Sequence, residues 1–436
     1  MKSRLLSLAA VSAAVVGLLT ACGGGDDGGS SDGGSSDGDA GGKVELRFQS
    51  LAWQEASIAA NKDIVKQWNA KNPDIQVEYV QGDWGSVHDE LLTSFEGGDP
   101  PDVIQYEASA GQVFAEAGYY ADLDPLLSDE FKSSIDDDVW ETVQYDEFGT
   151  VGVPFLMENR LPIANATMLK KAGIDIPTPD DPWTWDELAD AAKKLTSGDT
   201  YGIAWPLGDP ANAMVTLSQN FGGEFVADGP EISAGDEELE VPTRIHDMLH
   251  EDQSASPDAV SLSSTDALPG FFGGKYAMVF GATWLRQQMV EQAPKNFDWV
   301  TIPPIEGSEG QTQAVNPQTL SVAAQSEHPE QAAEFIEFFL NSKNMARLAK
   351  GDWLVPTSEG ALEELEKMTG GKQGWDVALS SADDLTAAPW RRTPGFQKWM
   401  DKIATPAFQK YFGDEISEDD LVSELEGGSD LLSESR

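Results

Sequence analysis

Between Val151 and Gly173 the chain reads VGVPFLMENRLPIANATMLKKAG, two apolar, extended segments flanking the polar triplet Glu158, Asn159 and Arg160. Pro154 and Pro162 exclude a helix across either segment, and Gly173 is placed to stop a short helix over 165–171. An interior strand of one compact domain does not carry a carboxylate, an amide and a guanidinium at its middle, because each would need a partner in the core. A crossover between two lobes, with its polar centre at a cleft, accommodates all three. At 436 residues the chain also exceeds what one hydrophobic core usually supports. A second crossover is expected near Ile302–Pro304. The expected lobes are therefore 43–153 plus 304–350 and 154–303 plus 351–436.

Charge and the N-terminus narrow the setting. With 28 basic against 75 acidic side chains the formal net charge is −47, so the basic footprint of a nucleic-acid binder is missing and attraction to anionic lipid through charge is excluded. Lys2 and Arg4, the apolar run Leu5–Leu19 and the small residues before Cys22 form a secretory signal over 1–21, too short for a membrane span. Leu19-Thr20-Ala21-Cys22 resembles the bacterial lipobox, which implies cleavage before Cys22 and lipidation of its thiol. Gly23–Gly42 is almost entirely Gly, Ser and Asp and cannot bury a core; it is expected to be a disordered tether. The expected address is the outer face of the cytoplasmic membrane, held by the lipid alone. Cys22 is the single cysteine, so no disulfide forms within the folded part.

The folded part opens with a βαβ pattern. Val44, Leu46 and Phe48 alternate as in a strand, Ala60, Ile64, Val65 and Trp68 recur at helical spacing, and Ile75–Val80 is a second strand, which together predict a parallel α/β sheet. Ligands of such sheets sit beyond the strand carboxyl ends. That rule brings forward Trp53 and Gln54 after the first strand, Trp84 after the second, Tyr106 and Glu107 after Val103–Gln105, and Trp284 after Tyr276–Phe280. Trp205 stands between a predicted strand and helix, Asn316 at the start of another strand, and Trp353, Trp390 and Arg391 at loop–helix junctions. Thr184 and Glu187 have capping-box spacing before the stripe Trp185, Leu188, Ala192 and Leu195, which marks a structural helix.

Spaced blocks carry a resemblance. In order they are PPDVI (Pro100–Ile104), AGYYADLDPLL (Ala117–Leu127), GVPF (Gly152–Phe155), KKAGIDIPTPDDPWTWDELADAAKKLT (Lys170–Thr196), PGFFGGKYAMVFGATWL (Pro269–Leu285) and SEHPEQAAEFIEFFL (Ser326–Leu340). Their order resembles the extracellular sugar-binding proteins of ATP-binding-cassette importers, solute-binding protein family 1, the group that includes maltose-binding protein. The resemblance implies a two-lobed type II periplasmic-binding-protein fold, a carbohydrate held between the lobes, and a separate transmembrane permease and ATPase. It also aligns Glu158 with a carboxylate used on sugar hydroxyls, and Trp205-Pro206 with a Trp-Pro segment near the sugar. Indole and phenol faces suit the C–H faces of a sugar, while planar amide, carboxylate and guanidinium groups suit its hydroxyl rim.

Catalytic constellations are poor. His246 and His250 stand at i and i+4 with Asp247 between them, imitating a zincin motif, but no third ligand is identifiable and no metal is expected. There is no Gly-rich phosphate loop, no G-x-S-x-G elbow and no cysteine nucleophile in the folded part. The expectation is a monomeric binding protein without enzymatic activity or cofactor. Two alternatives stay open: the same fold with a cationic or peptide-like cargo, and a lipid-anchored glycan hydrolase using two of the many carboxylates.

Overall fold

The computed structural model describes residues 43–226 and 230–433; the signal segment, Cys22 and the Gly/Ser/Asp segment lie outside the described residues. Alternation places Leu46 and Phe48 in the core from β1 (Val44–Ser50). Helix α1 (Glu55–Lys71) buries Ile64, Val65 and Trp68 and returns the chain to β2 (Ile75–Gln81), which pairs in parallel with β1. Helix α2 (Val87–Gly97) stops at Gly98, whose φ of 72° needs a glycine. Strand β3 (Val103–Glu107), the other parallel neighbour of β1, runs directly into α3 (Ala108–Glu116).

The stretch around Glu158 follows a short hairpin of β4 (Gln144–Tyr145) and β5 (Gly149–Thr150). Its two apolar halves are separate strands, β6 (Val153–Met157) and β7 (Arg160–Asn165). The remaining strands are β8 (Tyr201–Ala204), β9 (Tyr276–Ala282), β10 (Trp299–Thr301), β11 (Gln313–Ala314), β12 (Gln318–Val322), β13 (Val355–Pro356) and β14 (Leu385–Thr386). They build a six-stranded sheet in the order β13-β6-β12-β3-β1-β2 and a four-stranded sheet in the order β10-β7-β9-β8. We call the bodies built on them lobe 1 and lobe 2. Phe48, Trp68, Phe335, Phe339 and Leu365 centre the first core; Trp185, Phe280, Trp399 and Phe408 centre the second. The expected helix Trp185–Leu195 is present in lobe 2, with Thr184 and Glu187 forming the capping box.

The first passage between the sheets falls at the polar triplet, while the lobe boundaries differ from those expected. Strand β6 pairs with β12 and β13 and so belongs to lobe 1, which moves the lobe boundary from residue 153 to 157 and leaves the crossing at Glu158–Asn159, between β6 and β7. Ile302 and Ile305 are buried in the lobe 2 core, and Ile302 N donates to Pro162 O (2.9 Å), so Pro303-Pro304 ends a strand without leaving the lobe. The second crossing is Val315–Pro317, between β11 and β12. Residues 351–385 stay with lobe 1, where Ala361, Leu365, Trp375 and Leu385 are buried, and the chain rejoins lobe 2 only at Ala388. The crossings are tied together. Strands β11 and β14 pair in parallel, Arg160 N donates to Gln313 Oε1 (2.8 Å), Gln313 Nε2 donates to Arg160 O (2.9 Å), and Asn159 Nδ2 donates to Ser381 Oγ.

Candidate functional site

Strand directions bring most of the expected residues to one edge. Because β12 runs antiparallel to β3 and β6, the carboxyl ends of β1, β2, β3 and β6 share an edge of lobe 1 with the amino ends of β12 and β13. That edge carries Trp53 and Gln54, Trp84, Tyr106 and Glu107, Glu158, Asn316 and Trp353. By the same reasoning the ends of β7, β8 and β9 place Arg160, Trp205 and Trp284 on one edge of lobe 2.

At the centre of the seam the two lobes are packed closely. Asn316 Nδ2 donates to Glu107 Oε2 (2.9 Å), and Ser109 N donates to Asn316 Oδ1 (3.0 Å). Arg391, buried and reaching from lobe 2, donates to Asn212 Oδ1 (2.8 Å), Ala314 O (3.3 Å) and Thr216 Oγ1 (3.4 Å). Glu158 pairs with Arg160 at 3.1 Å. Glu107, Glu158, Asn316 and Gln318 line a cavity of about 30 Å³, room for a water or two and far too little for a sugar ring. Burial, with help from the Glu158 carboxylate, pushes the Glu107 carboxyl up to about 7, against the pull of Arg391, Arg160 and the Asn316 amide. Burial likewise brings the Arg391 guanidinium down to about 10, opposed by Glu107.

Next to this plug lies a cavity of about 440 Å³ walled by both lobes. Lobe 1 supplies His88 from α2, Tyr106 from β3 and Ser109, Gln112 and Glu116 from α3; lobe 2 supplies Gln397, Lys398, Asp401 and Lys402. The volume falls within the range of small-molecule sites. Tyr106 stacks on Trp84 with ring centroids 6.4 Å apart, and its hydroxyl lies 3.4 Å from His88 Nδ1. Hydrogen bonds cross the seam here: Ser109 Oγ to Gln397 Oε1 (3.3 Å) and Gln112 Nε2 to Arg392 O (2.5 Å). Gln112 also donates to Glu116 Oε1 (2.8 Å), and Gln397 Nε2 to Asp401 Oδ1 (2.9 Å), which fixes both amides. Burial raises the Tyr106 phenol and the Glu116 carboxyl above their ordinary values, so the phenol remains a neutral donor with an apolar face. The wall thus offers a ring, amides, carboxylates and ammonium groups within one space.

Of the residues lining this cavity, strand-end reasoning singles out Tyr106 but not Ser109, Gln112, Gln397 or Asp401. They stand on helices, where strand ends give no pointer. The legible sign was Pro394-Gly395 opening a helix, with Gln397 and Asp401 four apart and set between the buried residues Phe396, Trp399 and Met400.

The remaining expected residues separate into seam and core. Trp53, 50% exposed, meets Trp284 edge to face at 5.7 Å, and Trp353 stacks on Trp375 at 5.2 Å. Gln54 is buried and donates to Asp352 O (3.4 Å). Trp284 lines neither cavity described above; its link to the Glu158 crossing is the bond from Thr283 N to Asn159 O (3.0 Å). Two expectations are corrected. Trp205 is 1% exposed, with Phe280 and Trp185 stacked against it at 4.3 and 5.9 Å, and Trp390 is 7% exposed in the same core against Phe396. Both indoles fill the lobe 2 interior and offer no face to a ligand. His246 stacks on Tyr411 at 4.5 Å and His250 Nε2 lies 3.0 Å from Phe412 O, and among the described residues no group of three His, Cys, Asp or Glu is arranged to hold a metal.

Comparison with known proteins fits this architecture. Residues 52–346 match the family model described as bacterial extracellular solute-binding protein. A Streptomyces antibioticus protein, described as an uncharacterized lipoprotein in the oleD 5′ region, is 46% identical over 380 residues, covering 86% of this chain and 83% of its own. The diacetylchitobiose-binding protein DasA of Streptomyces coelicolor is 23% identical over 324 residues, 70% of this chain and 71% of its own. Among solved structures, the GacH receptor of Streptomyces glaucescens, studied unliganded and with acarbose, superposes with a TM-score of 0.75 at 21% identity, covering 90% of this chain and 100% of its own. Lmo0181 of Listeria monocytogenes, solved with cycloalternan, gives 0.74 at 23% identity, with 90% and 98% coverage.

Proposed function

The chain belongs to the bacterial extracellular solute-binding proteins, with their two-lobed type II fold, and from that premise we propose that it captures a carbohydrate in the 440 Å³ space between its lobes and delivers it to a membrane importer. One observation carries the reading: a single cavity takes a tyrosine face and the fixed Gln112 amide from one lobe, and the Gln397 amide and the Asp401 carboxylate from the other. A sugar has both kinds of surface, C–H faces for the ring and hydroxyls for the polar groups. Contacts contributed by both lobes exist together only when the lobes are closed, so solute favours the closed form, and the importer reads that form. Relatives whose described ligands are saccharides, DasA and the GacH receptor among them, support the choice of cargo.

The cargo leaves unaltered, and the importer's transmembrane and ATPase subunits are separate polypeptides. Lipidation of Cys22 holds the protein at the outer face of the membrane, in keeping with the lipoprotein description of the Streptomyces antibioticus relative. A cationic cargo fits less well, because the ammonium groups of Lys398 and Lys402 share the wall with the carboxylates. Calorimetric titration with mono- and oligosaccharides tests the reading. Saturable binding of at least one saccharide is expected, and silence across the panel from folded protein overturns it.

A further inference from the structure

Arg286 is a seam cation that lines neither of these cavities. Arg286 lies in the first turn of the lobe 2 helix Leu285–Gln292 and is 0% exposed. Its Nε donates to Thr283 O (2.9 Å) within its own lobe, but Nη1 donates to Gly374 O (2.7 Å) and Nη2 to Trp353 O (3.4 Å), both on lobe 1. The guanidinium carbon stands 4.5 Å from the Trp375 ring centroid and 5.5 Å from that of Trp353. Two residues earlier, Trp284 meets Trp53 of lobe 1, so one helical turn grips the opposite lobe twice.

The lobe 1 side is shaped to receive this group. Trp353 holds a left-handed backbone, φ 58°, uncommon for a bulky residue, as the C-cap of the helix Ser342–Asp352, where it presents its carbonyl to Arg286. Gly374 is left-handed as well, φ 77°, and a Cβ there would collide with Thr301 of lobe 2. Among the described residues the bonded and ring partners of Arg286 are carbonyls and indoles, with no ion pair to a carboxylate, and burial brings its guanidinium down to about 9, opposed by the charge of Asp376. That choice of partner matters for movement. A guanidinium held by carbonyls and indoles recovers its hydration when the lobes part, and this offsets the contacts it gives up. Such a tie can form and break within the range that differential solute binding can shift.

We infer that Arg286 is an interlobe latch, a residue that biases the protein toward closed lobes before solute arrives. The inference rests on solute-driven closure as proposed above, yet its first readout needs no solute. Small-angle scattering of the solute-free full chain compares wild type with Arg286→Met, which keeps the stem and removes every donor, and with Trp375→Leu, which removes the receiving ring. Both variants are expected to show a larger radius of gyration than wild type. With a saccharide identified in the titration panel, both return to the wild-type bound radius and bind about fivefold or more weakly. Arg286→Lys, which keeps the charge without the fork, serves if the methionine variant does not fold, and is expected to give an intermediate radius. An unchanged or smaller radius in folded variants overturns the latch; silence of the panel overturns the carbohydrate reading and leaves the scattering result standing.

Discussion

The same sequence signal ends in different places in the two lobes, with Trp284 the lobe 2 indole that does reach the seam. In lobe 1 the aromatics beyond strand ends, Trp53, Trp84 and Trp353, stay in the seam, half-buried or exposed. In lobe 2, Trp205 follows β8 in the same manner, yet it is sealed between Phe280 and Trp185, and Trp390 is sealed against Phe396. The narrower sheet of lobe 2 has four strands against six, and its helix Trp185–Leu195 brings an indole of its own against Trp205, so an aromatic at that edge completes a core. An indole after a strand marks an edge of the sheet; whether that edge is a wall of the cleft depends on what packs over it.

The sharpest way to break this contrast is to truncate one member on each side. Trp205→Ala leaves a large void in a dense core and is expected to destabilise by about 3–5 kcal/mol, whereas Trp53→Ala changes stability by less than about 1 kcal/mol, both read from urea unfolding. Equal losses would erase the distinction.

The next test moves to binding. Tyr106→Ala removes the ring from the large cavity and is expected to cost about 1–3 kcal/mol of solute affinity, roughly tenfold or more by calorimetry; Asp401→Asn weakens binding less, and the core change Trp205→Phe leaves it unaltered in the folded fraction. Loss of affinity in the last variant alone would return Trp205 to the ligand.

Acidity sharpens the comparison within lobe 1. Asp352 is buried beneath Trp353 with its carboxyl pushed up to about 7, chiefly by burial, and Glu107 in the plug is pushed up to about 7 as well. A carboxyl whose folded value is raised holds its proton longer in the native state than in the unfolded one. Its contribution is therefore complete below about pH 4 and is lost as the pH climbs toward 7, with a flat course above. Asp352→Asn is expected to remove part of that slope, on the order of 2 kcal/mol between pH 4 and 7, in urea midpoints measured across the window. A slope identical to wild type would show that burial does not raise this group.

The smallest effect is expected on the outer face of lobe 2. Lys410 reaches both Glu424 oxygens at 2.8 Å, but the pair is only half-buried and in contact with solvent, and Lys410→Ala should shift stability by no more than about 1 kcal/mol. A larger loss would mean that lobe 2 depends on its surface as well as its indoles.

Much of this was legible before any coordinates. Period-two and helical spacing located β1, α1 and β2, the polar triplet marked a crossing, and the strand-end rule reached Tyr106 and Glu107. The crossing at Val315–Pro317 was placed too early because Pro303-Pro304 reads as a break, whereas Ile302 and Ile305 remain packed in lobe 2. The passage at Ala388 had no sequence mark, since loop and helix alternate on both sides of it. Ser109, Gln112, Gln397 and Asp401 were hidden for a related reason: their partners come from another lobe, and only three-dimensional closure brings a polar helix face opposite another.

The strand order has a consequence for how the protein is made. Strand β12 lies between β3 and β6, although more than 150 residues separate it from either, and β13 pairs with β6 from later still. A nascent chain emerging from its amino end can form β1, α1 and β2 early, but the first sheet stays incomplete until β13, ending at Pro356, has been synthesised, and the second core waits for helices near residue 425. Native contacts of such long sequence separation form slowly. For a protein of an extracellular family this is an export-compatible design: the polypeptide remains threadable through a translocation pore for as long as its last third is missing, and locks into shape once the whole chain is out.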